Sequence, residues 1–299
     1  MSNRWTARPE AGNPTVMRWF ARICLWVGPG IARLLLGPVC LYFFMVKSDA
    51  RAASRTFLGR AMGRPATLRD TWRHLWVFSQ VLLDRVYLLG QDGRGITLDA
   101  PRPEALAEVV DQGEGCLLLG SHLGSFEASR AIKRARPGVS LRLVMDRQHS
   151  PAATALLEAL NPELAGQVLD IGAQPGAGLA LLPALQAGSL VALLADRPRG
   201  GEKTVVVEFF GKPAHFPAAP HEIAMVTQAP VVLFWGIHKA PGHYEIIFER
   251  LPAPGRVARA DRAEEIQRSV QRYAARLEHH ARLAPYNWFN FYDFWADPV

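Results

Sequence analysis

The 299-residue sequence is short of cysteine. Its three cysteines, Cys24, Cys40 and Cys116, are too few and too widely spaced for a disulfide framework or a Cys-x-x-Cys metal site. We therefore expect a reducing compartment, and we predict neither a metal site nor a cofactor. The chain also lacks the composition of a disordered or collagen-like protein, because 49% of its residues are hydrophobic and only 20% are charged.

Acidic residues are scarce in the first third of the chain. Residues 1–95 carry 14 Lys and Arg against 5 Asp and Glu, a balance of +9, whereas residues 96–299 carry 20 against 22, a balance of −2. A basic excess at one end argues against a nucleic-acid groove spread over the fold, and we predict no nucleic-acid partner. This excess fits acidic partners such as an anionic membrane surface.

One long apolar stretch, residues 23–46, has the length of a tilted membrane span but is broken by Arg33 and by Gly-Pro pairs at 28–30 and 37–38. An arginine near the bilayer centre costs about 2.5–3.5 kcal/mol. A bent span and two short helices in one leaflet fit the pattern about equally, and a buried helical hairpin is a third alternative.

No Ala-x-Ala-like site closes this apolar stretch, which disfavours a cleaved signal peptide. We therefore predict that residues 1–48 form a basic segment with a membrane anchor. Residues 49–299 are expected to form a single domain.

After residue 95, short apolar runs alternate with helical patterns, which is typical of βαβ units. The sequence therefore predicts an α/β fold. Its main predicted elements are strands at 116–120, 141–145, 168–171, 190–195 and 204–209, a strand pair at 231–238 and 244–249, and helices at 125–135, 176–186 and 260–280.

His122 lies in the segment Gly-Ser-His-Leu-Gly-Ser-Phe-Glu at 120–127, directly after a predicted buried strand. Ligands of α/β sheets bind at that end of the strands. If His122 lies outside the following helix, Glu127 can fold back to accept its ring N–H and leave the other ring nitrogen free to take a proton from a hydroxyl. A dyad without its own serine or cysteine suits acyl transfer to an alcohol, since the substrate then supplies the nucleophile.

Other interpretations of this segment remain open. His122 can be a structural histidine that caps the helix, whereas a metal pair lacks a second histidine nearby. A nucleophile elbow, Gly-x-Ser-x-Gly, is nearly imitated but has histidine at its centre, so a serine lipid hydrolase would have to use Ser121 or Ser125. A non-catalytic peripheral membrane or lipid-binding protein is a further alternative.

A second polar cluster, Ala-Asp-Arg-Pro-Arg-Gly-Gly at 195–201, also follows an apolar strand. Arg197 and Arg199 in such a loop can bind a phosphate group through bidentate hydrogen bonds. Alternatively, Asp196 and an arginine form a pair that only fixes the loop.

His122-x-x-x-x-Glu127 resembles the H-x-x-x-x-D/E motif of glycerolipid acyltransferases, in the form used by the bacterial lipid A biosynthesis (lauroyl/myristoyl) acyltransferases. Asp196-Arg197, the Phe-Phe-Gly-Lys-Pro-Ala block at 209–214 and the stretch at 222–232 resemble that family's second conserved region. The likeness extends over roughly residues 15–295. It implies one glycerolipid-acyltransferase-like domain, a mixed central sheet flanked by helices, with membrane-associated helices at the N-terminus.

The resemblance also implies an activity. It implies an O-acyltransferase on the cytoplasmic face of the bacterial inner membrane, which moves a fatty acyl chain from an acyl carrier protein or coenzyme A thioester to a lipid or glycolipid hydroxyl. His122 would be the general base, Glu127 would orient it, and Arg197 would stabilise the donor or the oxyanion. From the mechanism of acyl transfer we also predict that backbone amides near the following helix hold the oxyanion. Substrate contacts are expected from Gly124, Ser125, Asp196 and Arg199.

The aromatic ending, residues 285–295, departs from the Pro-x-x-x-Trp-x-x-x-Arg-Phe tail usual in the lipid A enzymes. It is similar to the ending of acyltransferases of aryl polyene and other glycolipid pathways. Lipid A, an aryl polyene lipid and other glycolipids are therefore all candidate acceptors. The tail itself can lie at a lipid interface, where Trp and Tyr rings settle, or pack into the core.

Overall fold

The apolar run Cys116–Gly120 forms the middle strand of a seven-stranded sheet in a computed structural model, which describes residues 14–90, 93, 95–147, 151–170, 177–198 and 201–296. In these residues the strands are β1 (Thr97–Arg102), β2 (Cys116–Gly120), β3 (Leu141–Met145), β4 (Leu169–Asp170), β5 (Leu190–Leu194), β6 (Thr204–Phe209), β7 (Lys212–Pro217), β8 (Val231–Ala240) and β9 (His243–Leu251). The sheet has the spatial order β1-β9-β8-β2-β5-β3-β4, and β6 and β7 form a separate pair.

The described helices are α1 (Pro14–Val46), α2 (Ser48–Met62), α3 (Leu68–Gly90), α4 (Glu104–Asp111), α5 (Arg130–Ala135), α6 (Pro151–Leu160), α7 (Pro162–Gly166), α8 (Leu182–Gln186), α9 (Ala219–Thr227) and α10 (Arg262–Leu283). Short 3₁₀ turns lie at Phe126–Ser129, Ala177–Leu181, Arg259–Asp261 and Pro285–Asn287.

The sheet is mixed, as the resemblance implies. Strand β2 runs parallel to both of its neighbours, β5 and β8, whereas β8 and β9 form an antiparallel hairpin. In the β2–β5 pair, Cys116 lies beside Leu190 and Gly120 beside Leu194, without a register shift. The carboxyl ends of β2 and β5 therefore lie side by side at one edge of the sheet.

The core lies on both faces of the sheet, and the residues of β2 alternate between them. Leu117 and Leu119 belong to one apolar cluster with Phe57 of α2. Leu118 faces the opposite cluster, which includes Tyr87 of α3. Full burial of one such leucine contributes about 1.5–3 kcal/mol, so the continuous apolar run of β2 is explained by a strand covered on both faces.

The predicted α/β class is confirmed, and the predicted strands at 116–120 and 141–145 agree with the structure to the residue. The predicted helix at 125–135 is instead a 3₁₀ turn followed by the short α5. The predicted helix at 176–186 likewise divides into a 3₁₀ turn and α8, and Ile171 and Gly176 lie outside the described residues.

The Phe-Phe-Gly-Lys-Pro-Ala block at 209–214 is the turn of the β6–β7 hairpin. Phe210 and Gly211, with φ of 53° and 71°, occupy the two central turn positions. Two positive φ values in a two-residue loop are typical of a type I′ turn, whose twist matches that of the strands. The block therefore has a structural role as a hairpin turn, and both of its phenylalanines are buried.

Helix α1 contains the apolar stretch and is broken at Gly28 (φ 80°, ψ 166°), one of the breaks predicted from the Gly-Pro pairs. By length and composition, residues 18–46 of this helix can cross a membrane. Its inner side packs on α3, where Tyr87 Oη donates to the carbonyl of Cys24 at 2.7 Å. The domain boundary after residue 48 stays a prediction.

Candidate active site

His122 and Asp196 each lie two residues beyond the carboxyl end of a strand, after β2 and β5 respectively. Because these strands are adjacent and parallel, the two side chains meet. The Nδ1 atom of His122 lies 2.9 Å from Oδ1 of Asp196, and the backbone N–H of His122 donates to Oδ2 of the same carboxylate at 3.0 Å. Asp196 thus fixes both the ring and the backbone of His122.

The Asp196 carboxylate is completely buried. A third hydrogen bond reaches it from Nε1 of Trp288, which donates to Oδ2 at 3.1 Å. Burial alone would raise the pKa of Asp196, but the charge and hydrogen bonds of His122, together with Arg197, hold it at about 2. Asp196 is therefore ionised at neutral pH, so it accepts a hydrogen bond from the protonated Nδ1 of His122.

His122 has the properties of a general base. Burial, followed by the nearby positive charge of Arg197, lowers its pKa below the usual 6.5. The imidazole is therefore neutral at pH 7. With Nδ1–H directed to Asp196, the lone pair lies on Nε2, and 33% of the side chain remains accessible. This arrangement can take a proton from a hydroxyl group brought to the site.

Glu127 does not make the predicted contact with the His122 ring, and that prediction is wrong. Its Oε1 atom lies 2.6 Å from Nε of Arg85, a residue of α3. Its Oε2 atom accepts a hydrogen bond of 3.4 Å from the hydroxyl of Ser125. The physical reason is that Asp196 approaches from the neighbouring strand and occupies Nδ1, while the 3₁₀ turn directs Glu127 towards Arg85. A catalytic role for Glu127 stays a prediction.

The two serines of the motif are directed into the protein. The hydroxyl oxygen of Ser121 accepts hydrogen bonds from Nε1 of Trp235 at 3.0 Å and from the amide of Leu123 at 3.2 Å. Ser125 is 1% exposed and its hydroxyl donates to Glu127. Neither hydroxyl is placed as a nucleophile activated by His122, so this geometry lends no support to a serine hydrolase.

The backbone amides around the motif are already engaged. Gly124 N–H donates to the carbonyl of Asn287 and Ser125 N–H to that of Gly236, both at 2.8 Å. The amides of His122 and Leu123 donate within the protein as well, so none of the amides of residues 122–125 is directed to a ligand. An oxyanion site formed by backbone amides of the following turn, from residue 126 onward, stays a prediction.

Gly124 and Gly236 allow β8 to pass directly beneath the His122 loop. Gly124 has φ of +76°, and a Cβ atom there would lie 1.9 Å from the carbonyl oxygen of Gly236. A Cβ atom on Gly236 would lie 2.5 Å from the carbonyl oxygen of Ser125. Gly124 and Ser125 therefore position the loop through their backbones, and a contact of either residue with substrate stays a prediction.

The aromatic tail packs into the core and forms one wall of the site. Trp288 is completely buried and is paired with Leu123 through an antiparallel bridge. The amide of Phe289 donates to the carbonyl of His122 at 2.9 Å. Of the two locations that the sequence left open for the tail, the structure shows the core.

Arg197 lies beside this wall. Its guanidinium donates to the carbonyl of Phe289 and stacks 5.4 Å from the ring centroid of Tyr292. Arg199, the second arginine predicted to bind a phosphate group, lies outside the described residues. Asp196 has an internal role in place of the predicted substrate contact, because both of its oxygens accept hydrogen bonds from the protein.

Sequence reasoning missed the partner role of Asp196 and the participation of Trp288. A signal for Asp196 was present, since His122 and Asp196 each lie within two residues of the end of a predicted apolar strand. For Trp288 there was none, because a residue 92 positions from Asp196 has no local pattern that links the two. No group of three His, Cys, Asp or Glu side chains able to hold a metal ion occurs among the residues that the structure describes.

Comparison with known families gives one match. The family described as bacterial lipid A biosynthesis acyltransferase matches residues 99–296, from β1 to the aromatic tail. The matched range contains His122, Glu127, Asp196 and Trp288. It leaves out α1, α2 and α3, although the resemblance seen in the sequence was expected to begin near residue 15. No curated protein matches the chain.

We predict that Gly236→Ala destabilises the protein by about 1–3 kcal/mol, because the new methyl group would overlap the carbonyl of Ser125 and force β8 away from the His122 loop. Urea denaturation measures the effect. Gly138→Ala is the matched control, since a Cβ atom there meets nothing within 4 Å. Equal stability of the two variants would contradict the close approach of Gly236 to the carbonyl of Ser125.

Proposed function

Since the chain belongs to the bacterial lipid A biosynthesis acyltransferase family, we propose that it moves a fatty acyl chain from a thioester donor to a hydroxyl group of a lipid or glycolipid acceptor. Acyl carrier protein is the proposed carrier, with coenzyme A as the alternative. The proposed site of action is the cytoplasmic face of the bacterial inner membrane. The observation that carries the proposal is the pair formed by the buried Asp196 and the accessible His122, which supplies a base without a protein nucleophile.

The proposed reaction proceeds in two steps. In the first, Nε2 of His122 accepts the proton of the acceptor hydroxyl while the hydroxyl oxygen attacks the thioester carbonyl, which gives a tetrahedral intermediate with one negatively charged oxygen. In the second, the C–S bond breaks, the ester carbonyl re-forms, and the departing thiolate takes the proton from Nε2. The negative charge of Asp196 stabilises the imidazolium form of His122 between these steps.

The other polar groups near His122 have proposed roles that follow from their charges. Arg197 carries a positive charge close enough to His122 to lower its pKa, so it is the proposed stabiliser of the oxyanion or of the donor. Glu127, held by Arg85 and Ser125, lies beside the base without bonding to it. We propose that Glu127 positions the substrate or Arg85, and that Asp196 orients His122.

We predict that His122→Ala abolishes acyl transfer, and that Asp196→Asn lowers kcat by about 10³–10⁴-fold because the amide favours the wrong tautomer of His122. Glu127→Gln should cost less in kcat than Asp196→Asn. The assay follows a radiolabelled acyl chain from acyl carrier protein into extracted lipids. Near-normal transfer by His122→Ala would overturn the enzyme assignment, and a larger kcat loss in Glu127→Gln than in Asp196→Asn would return the orienting role to Glu127.

The pH dependence of kcat/KM provides a separate prediction. Only neutral His122 can act as the base, so the rate should fall as the pH drops through its pKa, which lies below 6.5. Arg197→Met removes the nearby positive charge, which raises the pKa of His122 and should move this acid limb to higher pH. Arg268→Met is the matched control, because Arg268 is paired with Glu264 and Glu265 on α10 and its charge does not act on His122. An acid limb that does not move in Arg197→Met would contradict the proposed electrostatics.

A further inference from the structure

Helix α1 lies along α3 from one end to the other, in the antiparallel sense. Near the start of α1, the carbonyl of Cys24 accepts the hydrogen bond from Tyr87, close to the end of α3. Near the end of α1, Phe44 packs edge-on against Trp72, in the first turns of α3, with 5.4 Å between the ring centroids. The helix has 33 residues, a length of about 50 Å, and both its segments touch the domain.

An ion pair joins the middle of α1 to α3. Nη2 of Arg33 donates to Oδ1 of Asp84 at 3.0 Å, and Asp84 is completely buried. The second oxygen of Asp84 accepts hydrogen bonds from the amide of Gly242 and from the hydroxyl of Tyr244, at 3.1 and 3.0 Å. Arg33 is therefore directed towards the domain, so it need not enter the hydrocarbon of a membrane.

The opposite side of α1 carries an outer face of large apolar side chains exposed along its whole length. Trp26 is 87% exposed, Leu34 77% and Met45 67%, and these three residues are spread over both segments of the helix. Exposed apolar surface of this extent marks an interaction site. Its other members with more than half of their surface exposed are Trp19, Ile31, Leu41, Tyr42 and Val46.

Exposed basic residues lie at both ends of the outer face. Arg18 and Arg22 lie at its start, on either side of Trp19 in the sequence, and Lys47 and Arg55 follow it. An apolar helix face with aromatic rings and basic residues at its two ends complements a leaflet of anionic lipids, in which the acyl chains receive the apolar side chains and the headgroups receive the charges.

We propose that α1 is an in-plane membrane anchor, whose outer face enters one leaflet of an anionic bilayer while its inner side stays on the domain. Both ends of the helix then lie on the same side of the membrane. A spanning orientation would require α1 to detach from α3 and to expose Arg33 and the buried charge of Asp84. This inference rests on the proposed function only in placing the protein at a membrane.

The depth of the outer face tests the proposal. A single cysteine replaces Trp26, Leu34 or Met45 in the full chain, and each variant is labelled with an environment-sensitive fluorophore. The labelled protein is bound to vesicles of phosphatidylethanolamine and phosphatidylglycerol that contain brominated lipids as quenchers. We expect all three labels at a similar depth, about 5–10 Å below the headgroups. The native cysteines are buried and should resist labelling. The control is a label on Glu264→Cys, at an exposed position of α10, whose fluorescence should not be quenched.

Two results would overturn the in-plane anchor. One is a label at Leu34 near the bilayer centre with the labels at Trp26 and Met45 close to the headgroups, which is the profile of a span. The other is the absence of quenching at all three positions, which would exclude contact of the outer face with lipid.

The ion pair is tested without any reaction. Arg33→Met should lower Tm by roughly 5 °C, because it leaves Asp84 buried without its cation. The same substitution in an Asp84→Asn background should cost clearly less. An unchanged Tm in Arg33→Met would contradict the packing of α1 on the domain. Neither measurement uses acyl transfer, so a failure of the proposed activity and a failure of the anchor are distinguishable.

Discussion

One buried carboxylate, that of Asp196, connects the parts of the chain that make the site. It accepts hydrogen bonds from the ring and the backbone of His122, after β2, and from Trp288, in the aromatic tail. An ionised carboxylate in the protein interior is costly unless its hydrogen bonds are satisfied. The strand ends, the His122 loop and the tail are therefore energetically coupled, and a disturbance of any one of them leaves a buried charge unsatisfied.

The surrounding structure keeps these groups in place. Nε2 of His74 donates to the carbonyl of Trp288 at 2.9 Å, and Nδ1 of the same ring accepts a hydrogen bond from the hydroxyl of Ser54, so α2 and α3 hold the tail against the site. Gly236 lets β8 reach the loop, where its carbonyl accepts the amide of Ser125, and the amide of Gly124 donates to Asn287 in the tail. The result is a rigid histidine base with no activated serine beside it, which suits a reaction whose nucleophile arrives with the substrate.

The α/β class, most strands and the position of His122 directly after β2 were predictable, because continuous apolar runs and their turn signals are local properties of the sequence. The partner of His122 was not, since Glu127 is near in sequence whereas Asp196 is near only when β2 and β5 are adjacent. For the same reason the sequence could not decide between the lipid interface and the core for the aromatic tail, and it gave no sign of the pairing of Arg33 with Asp84. Each depends on contacts between residues that are far apart in the chain.

The pairing of His122 with Asp196 is most directly tested by nitrogen NMR of the His122 ring near pH 7. We expect wild-type protein and Glu127→Gln both to show a neutral ring with the proton on Nδ1, and Asp196→Asn to lose this tautomer. Retention of the Nδ1–H tautomer in Asp196→Asn, together with its loss in Glu127→Gln, would show that Asp196 does not orient the ring.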